Sequence, residues 1–224
     1  GPNVIQLWAE DIQGNAEYCQ VVLLVQDNMG NCVPSSTFAS GYVKTEKDKG
    51  IADVWINITG THPAFPPITL SSIITDFNGK YTIPSNIPLA GTYNIIPTKE
   101  DNPLTGVTTL DLAFISKHIL GVEKLNSPYK MIAADANKSG TITTFDVVEL
   151  RKLILGVYDE LPYNQSWRFV AKSHVFPNPN NPFQSAFPES SLASNLTTGP
   201  VDFVGIKVGD VNDTALGDNL TSGI

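Results

Sequence analysis

The sequence predicts a mainly β chain with a small α part: a β-sandwich followed by a pair of loop–helix repeats. Three observations predict it. Short apolar runs separated by turns rich in Gly, Pro and Asn occupy the first hundred or so residues. Between residues 99 and 156 the sequence repeats itself at an offset of 35. Beyond residue 163 the chain turns polar and rich in Pro, Asn and Ser.

The apolar runs divide into two groups. In residues 1–35, Val4, Ile5, Leu7 and Trp8 lead through the polar turn Glu10–Asn15 to Val21–Val25, which reads as a strand hairpin. In residues 36–98 the candidate strands are Phe38–Val43, Val54–Ile58, Ile68–Ile74, Lys80–Ile83 and Thr92–Ile96. The turn Thr75-Asp76-Phe77-Asn78-Gly79-Lys80-Tyr81 has a physical reading: Asp and Asn cap it, Gly79 takes the left-handed position and Tyr81 starts the next strand. Residues 164–224 are expected to wrap irregularly over a surface. Short strands at Trp167–Val170 and Val201–Val208 punctuate them, with Trp167, Phe169, Phe176 and Phe183 as anchors.

The repeat pairs Thr108-Thr109-Leu110-Asp111 with Thr143-Thr144-Phe145-Asp146, and Lys117, Ile119, Leu120, Gly121 with Lys152, Ile154, Leu155, Gly156. Each half is a loop followed by an amphipathic helix that stops at glycine, over about 109–120 and 144–155. The helices are expected to pack antiparallel, Leu112, Ile115 and Ile119 against Val147, Leu150 and Ile154.

The second loop runs from Asp135 to Asp146 with the spacing of a twelve-residue calcium loop. Asp135, Asn137 and Ser139 put side-chain oxygens at positions 1, 3 and 5, and Gly140 at position 6 permits the sharp turn. Thr141 offers its carbonyl at position 7, Thr143 holds position 9, and Asp146 at position 12 supplies the bidentate carboxylate. Calcium takes six to eight hard oxygens, which this alternation points at one centre. The same string also reads as an ordinary Asp/Asn/Gly turn before a helix, with Thr143 as N-cap.

The first loop departs from the pattern. Counting back from Asp111 puts Asn102 at position 3, but Leu104 stands at position 5 and Gly106 at 7, so only the second half is intact. Near the end of the chain, Gly209-Asp210-Val211-Asn212-Asp213 has the form of a loop's first half without a helix after it. Asp210 and Asn212 are therefore expected to fold back and complete the first site; a plain surface turn is the alternative.

These loops and their helices resemble the type I dockerins, which pair two such units and place Asp at position 12. The resemblance implies bound Ca2+ and a cohesin-like protein partner met by the helix faces. It makes loop positions 10 and 11, here Thr109, Leu110, Thr144 and Phe145, the residues that set specificity. The strand block with its Gly79 turn and Gly91-Thr92-Tyr93 resembles the collagen-adhesin B-type and carboxypeptidase regulatory-like sandwiches, which act as spacers. Some of those carry a Lys–Asn isopeptide bond, for which Lys44 and Asn94 are the candidates. Ala9-Glu10-Asp11 through Cys19 resembles the end of a hyalin-repeat (HYR), immunoglobulin-like domain. The expected organisation is thus an immunoglobulin-like hairpin over 1–35, a spacer sandwich over 36–98, dockerin-like repeats over 99–163 and a wrapping tail over 164–224.

Composition narrows the function. A net charge of -8 disfavours nucleic acid and suits a hard cation. No apolar run approaches the length of a membrane span. Gly1-Pro2 reads as a scar of protease processing, so the lack of a leader carries no information on location. Cys19 and Cys32 pair with each other in an exported protein, or Cys19 pairs with a cysteine upstream. His62, His118 and His174 lack metal-ligand spacing, and neither a phosphate-binding glycine loop nor a nucleophile elbow is present. The expectation is a non-enzymatic calcium-binding module of a secreted or cell-surface bacterial multidomain protein. The damaged first loop and the tail favour a structural and adhesive module; a dockerin-type module for a cohesin-like partner is the alternative. A tail that covered the helices would favour the structural reading.

Overall fold

The computed structural model describes residues 3–10, 14, 16–23, 39–62, 65–84, 87, 90–196 and 199–215. The chain forms two units, residues 1–37 and 38–224. In the first, β1 (Asn3–Glu10) and β2 (Ala16–Leu23) form an antiparallel hairpin in the register Asn3 to Leu23 and Glu10 to Ala16. Cys19 sits in β2 opposite Leu7, while Cys32, and with it the expected pairing, lies outside the described residues.

In the second unit the strands are β3 (Ser40–Lys44), β4 (Trp55–His62), β5 (Phe65–Ile74), β6 (Lys80–Thr82), β7 (Ala90–Thr98), β8 (Trp167–Ala171), β9 (Ser191–Asn195) and β10 (Phe203–Lys207). They build two four-stranded sheets, in the orders β6-β3-β10-β8 and β5-β4-β7-β9. All neighbours are antiparallel except β3 and β10, which run parallel with Phe203 opposite Val43. Val43, Ile56, Ile58, Tyr81, Tyr93, Ile95, Trp167, Phe169 and Phe203 fill the core between the sheets.

Five of these strands are those expected from residues 36–98. The Asp76 turn forms as read: Asp76 Oδ1 accepts from the amides of Asn78 and Lys80 at 2.9 and 2.8 Å. Gly79 is left-handed at φ 75°, and a Cβ there would strike the Val43 carbonyl oxygen. Of the isopeptide candidates, Lys44 Nζ bonds Asp48 at 3.2 Å, and the sealed Asn94 Oδ1 accepts no hydrogen bond.

The larger correction concerns residues 164–224. The strands expected at Trp167–Val170 and Val201–Val208 form as β8 and β10, but together with β9 they take places in both sheets instead of wrapping over a surface. The helical segment between β7 and β8 is therefore an insertion within the sandwich. The misreading has a physical cause, because each returning strand is five residues long and pairs with strands far away in sequence.

The insertion contains α1 (Thr109–Ile119), α2 (Pro128–Ala134) and α3 (Thr144–Ile154). Leu112, Ile115, Leu150 and Leu153 are buried between α1 and α3, with Ile119, Val147 and Ile154 packed partly against them. Helix α2 was not expected; Ser127 caps it, accepting from the Tyr129 amide, and Pro128 opens its first turn. The helical core also takes in Val170, Ile206, Val208, Val211 and Phe176. Tyr129 and Phe187 pack against the Phe176 ring at 5.6 and 5.9 Å.

A polar node ties the insertion's two ends to β10. Lys207 Nζ donates to Asp101 Oδ1 and Ser166 Oγ, each at 2.5 Å, and to the Asn102 carbonyl at 2.9 Å. Trp167 Nε1 donates to Asp101 Oδ2 at 2.7 Å. Burial pushes the Asp101 carboxyl up, but hydrogen bonds from Lys207, Trp167 and Ser166 outweigh it and leave it below its ordinary value. Burial pulls the Lys207 ammonium down, and Asp101 offsets that only in part. Asp101→Ala should therefore cost about 3 kcal/mol in urea denaturation, because it strands a buried ammonium. The folded carboxyl lies below its unfolded value, so this stability is fully present above about pH 4 and disappears as pH falls through the folded value. The gap between variant and wild type should close in acid; a gap independent of pH would show that the carboxylate's charge is not what matters.

Candidate metal loops and helix faces

The second loop is organised by its two carboxylates. Asp135 closes α2 as its C-cap residue, and its Oδ1 and Oδ2 accept from the amides of Ser139 and Gly140 at 2.8 and 2.9 Å. Lys138 and Gly140 take left-handed φ values of 55° and 76°, which turn the loop back toward Asp135. Asp146 is fully buried at the third position of α3, where Thr143 forms a capping box with it. Its Oδ2 accepts from the Thr143 amide at 2.8 Å and its Oδ1 from the Asn137 amide at 3.2 Å. Ser139 Oγ lies 3.2 Å from the Thr141 carbonyl oxygen and donates to it. Asp135, Asn137, Ser139, Thr141 and Asp146 thus lie within one tightly bonded loop.

At the first loop the sequence count fails in its first half. Asn102 Oδ1 accepts from the Leu104 amide at 2.9 Å and closes a local turn, while its carbonyl serves Lys207. Asn102 is thus engaged by Leu104 and Lys207. The contiguous count assumed an unbroken loop.

Residues 210–215 stand there instead. Asp210 Oδ1 accepts from the amides of Asn212 and Asp213 at 3.1 and 2.7 Å, and its Oδ2 from the Ala215 amide at 2.7 Å. Asp213 has φ 67°, as Lys138 has 55° at the same step of the second loop. Thr214 Oγ1 donates to the Gly106 carbonyl at 3.0 Å, the counterpart of Ser139 on Thr141. Asp111, fully buried in its capping box with Thr108, accepts on Oδ1 from the Val211 amide at 3.0 Å. The match to the second loop is incomplete: Asp146 is served by the third position of its loop and Asp111 by the second, and Asp135 Oδ1 accepts from the fifth position where Asp210 Oδ1 accepts from the third and fourth.

The electrostatics of the two loops agree. Burial pushes the Asp146 carboxyl up and neighbouring Asp135 adds to the push, against hydrogen bonds from Thr143 and Asn137. Burial likewise raises Asp210, Asp111 adds to it, and amide hydrogen bonds work against both. Asn212 Oδ1 is sealed from solvent and accepts no hydrogen bond. Two crowded carboxylates with amide, hydroxyl and carbonyl oxygens around them fit a hard divalent cation. Among the described residues no group of three or more His, Cys, Asp or Glu side chains is placed to hold a metal ion, so each loop offers two carboxylates at most. His118 is structural: burial lowers it, Lys124 adds to that, and its Nδ1 accepts from the Leu125 amide at 3.0 Å.

Helices α1 and α3 and their C-cap residues expose repeat-related apolar side chains. Leu110 and Phe145 are 54% and 71% exposed, and Leu120 and Leu155 are 75% and 70% exposed. The described residues of the returning chain do not cover them; β10 and the short turn Pro182–Gln184 pack on α2. Trp167 is buried in the sandwich, while Trp55 is half exposed. No helix among the described residues is long and apolar enough to cross a membrane.

No curated protein and no solved structure matched the chain. The stretch that carries both helices and the whole second loop, residues 105–155, matches the family model of the dockerin type I domain.

Proposed function

We propose that the second unit is a non-enzymatic, calcium-stabilised docking module: a dockerin-like helix pair held in a β-sandwich and presented to a cohesin-like protein partner. Dockerin type I domains in general bind calcium and cohesins and occur in extracellular or cell-surface proteins, which supports a secreted or surface-attached parent. The observation that carries the reading is the repeat-related face: each helix starts at a buried loop carboxylate, Asp111 or Asp146, and exposes the same pair of apolar positions. Such a face, left uncovered by the described residues of the returning chain, is what docking needs. In the second loop Asp135, Asn137, Ser139, the Thr141 carbonyl and Asp146 would hold the ion. Its charge would relieve the repulsion between Asp135 and Asp146, and the loop would join the end of α2 to the start of α3.

A structural role in an adhesin or stalk is the second reading. It is favoured by the core that the insertion shares with β8 and β10, which makes the helices part of the sandwich and not a free-standing module. The likeness of residues 36–98 to collagen-adhesin B-type and carboxypeptidase regulatory-like spacers, and of the first hairpin to an HYR domain, belongs to the same picture of a modular parent.

Two measurements test these statements. Calcium at about a hundred times its Kd adds about 2.7 kcal/mol per site. At about 2–4 °C per kcal/mol for a chain of this size, chelation should lower the unfolding temperature by roughly 5–10 °C per site. An unfolding temperature indifferent to chelator sinks the calcium reading. Surface plasmon resonance against purified type I cohesins should show binding that is lost in chelator. The double change Leu110→Asp and Phe145→Asp should also abolish it, while leaving thermal unfolding unaltered because both side chains are exposed. Cohesins that ignore the calcium-loaded protein would leave the structural reading.

A further inference from the structure

The first loop carries an inference that rests on reading the second as a calcium loop and extends it. We propose that Asp210, Asn212 and Thr214 are the first half of another calcium loop. Its second half, Gly106–Asp111, lies some hundred residues earlier in the chain, so a cation held there fastens the end of β10 to the start of α1.

Three contacts place the halves together, and two further features fit the loop. The Val211 amide donates to Asp111 at 3.0 Å, and Thr214 Oγ1 donates to the Gly106 carbonyl at 3.0 Å. A Cβ on Gly106 would meet the Ala215 backbone, so the broken ends of the loop abut. Asp210 occupies position 1, held by the Ala215 amide as Asp135 is held by the Gly140 amide. Asn212 Oδ1, at position 3, is sealed from solvent without a hydrogen-bond donor. That last feature is independent of the turn geometry. A buried amide oxygen left without a partner is costly, and a cation is the partner that a loop of this donor set supplies.

The arrangement is anchored on both sides. Just before Asp210, the Gly209 amide donates to the Ala133 carbonyl of α2 at 2.8 Å. From the sandwich, Lys47 Nζ pairs with Asp213 at 3.3 Å and donates to the Asn212 carbonyl at 3.3 Å. A cation at the second loop closes twelve residues, whereas one at the split loop closes the helical insertion and all three returning strands. The two sites therefore have different tasks: the second orders the helix pair locally, and the first locks the helix pair into the sandwich.

Calcium titration of the full chain by isothermal calorimetry, with hydrogen exchange read in parallel, tests this. Wild type should bind two ions per chain, Asp210→Asn one, Asp135→Asn one, and the double variant none. Calcium should protect the amides of residues 203–215 in wild type and in Asp135→Asn, and fail to protect them in Asp210→Asn. Asn212→Ala, a milder change, should keep the fold by circular dichroism and weaken one of the two sites at least tenfold. One ion in wild type, removed by Asp135→Asn and untouched by Asp210→Asn, overturns the split site and leaves the second loop standing. Two ions retained in Asp210→Asn also overturn it. No ion in wild type overturns both.

Discussion

Strand β10 is buried on both faces, and the architecture depends on that. Phe203 points into the sandwich core, while Ile206 belongs to the helical core, and all five residues are sealed from water. A strand with two apolar faces needs a layer on each side. Here the opposite sheet provides one and the inserted helices the other. The strand is also held laterally, parallel to β3 and antiparallel to β8. Removing either layer would expose apolar surface worth about 25 cal/mol per Å². Sandwich and insertion are therefore expected to unfold together, with the Asp101–Lys207 node marking the place where the insertion leaves and returns.

The same economy of position governs the loop carboxylates. Asp111 and Asp146 each stand in the first turn of a helix, where free amides and the helix dipole favour an anion. Capping alone does not settle their neighbourhood. Each loop buries a second carboxylate beside the first, Asp210 or Asp135, and in each loop one member of the pair is raised by burial and by its neighbour. Side-chain amides and hydroxyls cannot neutralise charge. A divalent cation can, and it would make the loop's folding and its metal affinity a single quantity.

Local features were legible in the sequence and non-local ones were not. The second loop and both long helices could be read because their signals lie within a dozen residues: an N-cap threonine, a carboxylate three positions on, an apolar stripe and a terminal glycine. The strands of residues 36–98 were bracketed by turns whose chemistry is equally local, as Asp76 and Gly79 show. The partners of β8, β9 and β10 were hidden. Nothing in a five-residue run such as Phe203-Val204-Gly205-Ile206-Lys207 states that it pairs with Val43, and the Pro- and Asn-rich stretches between them read as irregular chain. Helix α2 was missed although Ser127-Pro128 signals a helix start, because seven residues are too few to show a periodicity. Counting along an unbroken loop names Asn102, whereas residues 210–215 are the ones that contact Gly106 and Asp111, and half a motif with no helix to follow is the local sign of that.

Insertion into the sandwich also explains why the helix pair has a free face. Two antiparallel helices alone have little interior, and a pair standing by itself must cover its inner face with whatever chain is at hand. In this fold α2, Val208 and Val211 cover that side, burying Leu150 and Leu153 with Ile115. The opposite side is relieved of any packing duty. Leu110, Phe145, Leu120 and Leu155 can then stay exposed without loss of core, because the core is complete without them. Apolar residues kept at matching positions of two repeats, where the fold makes no use of them, are better accounted for by something outside the chain than by its own stability.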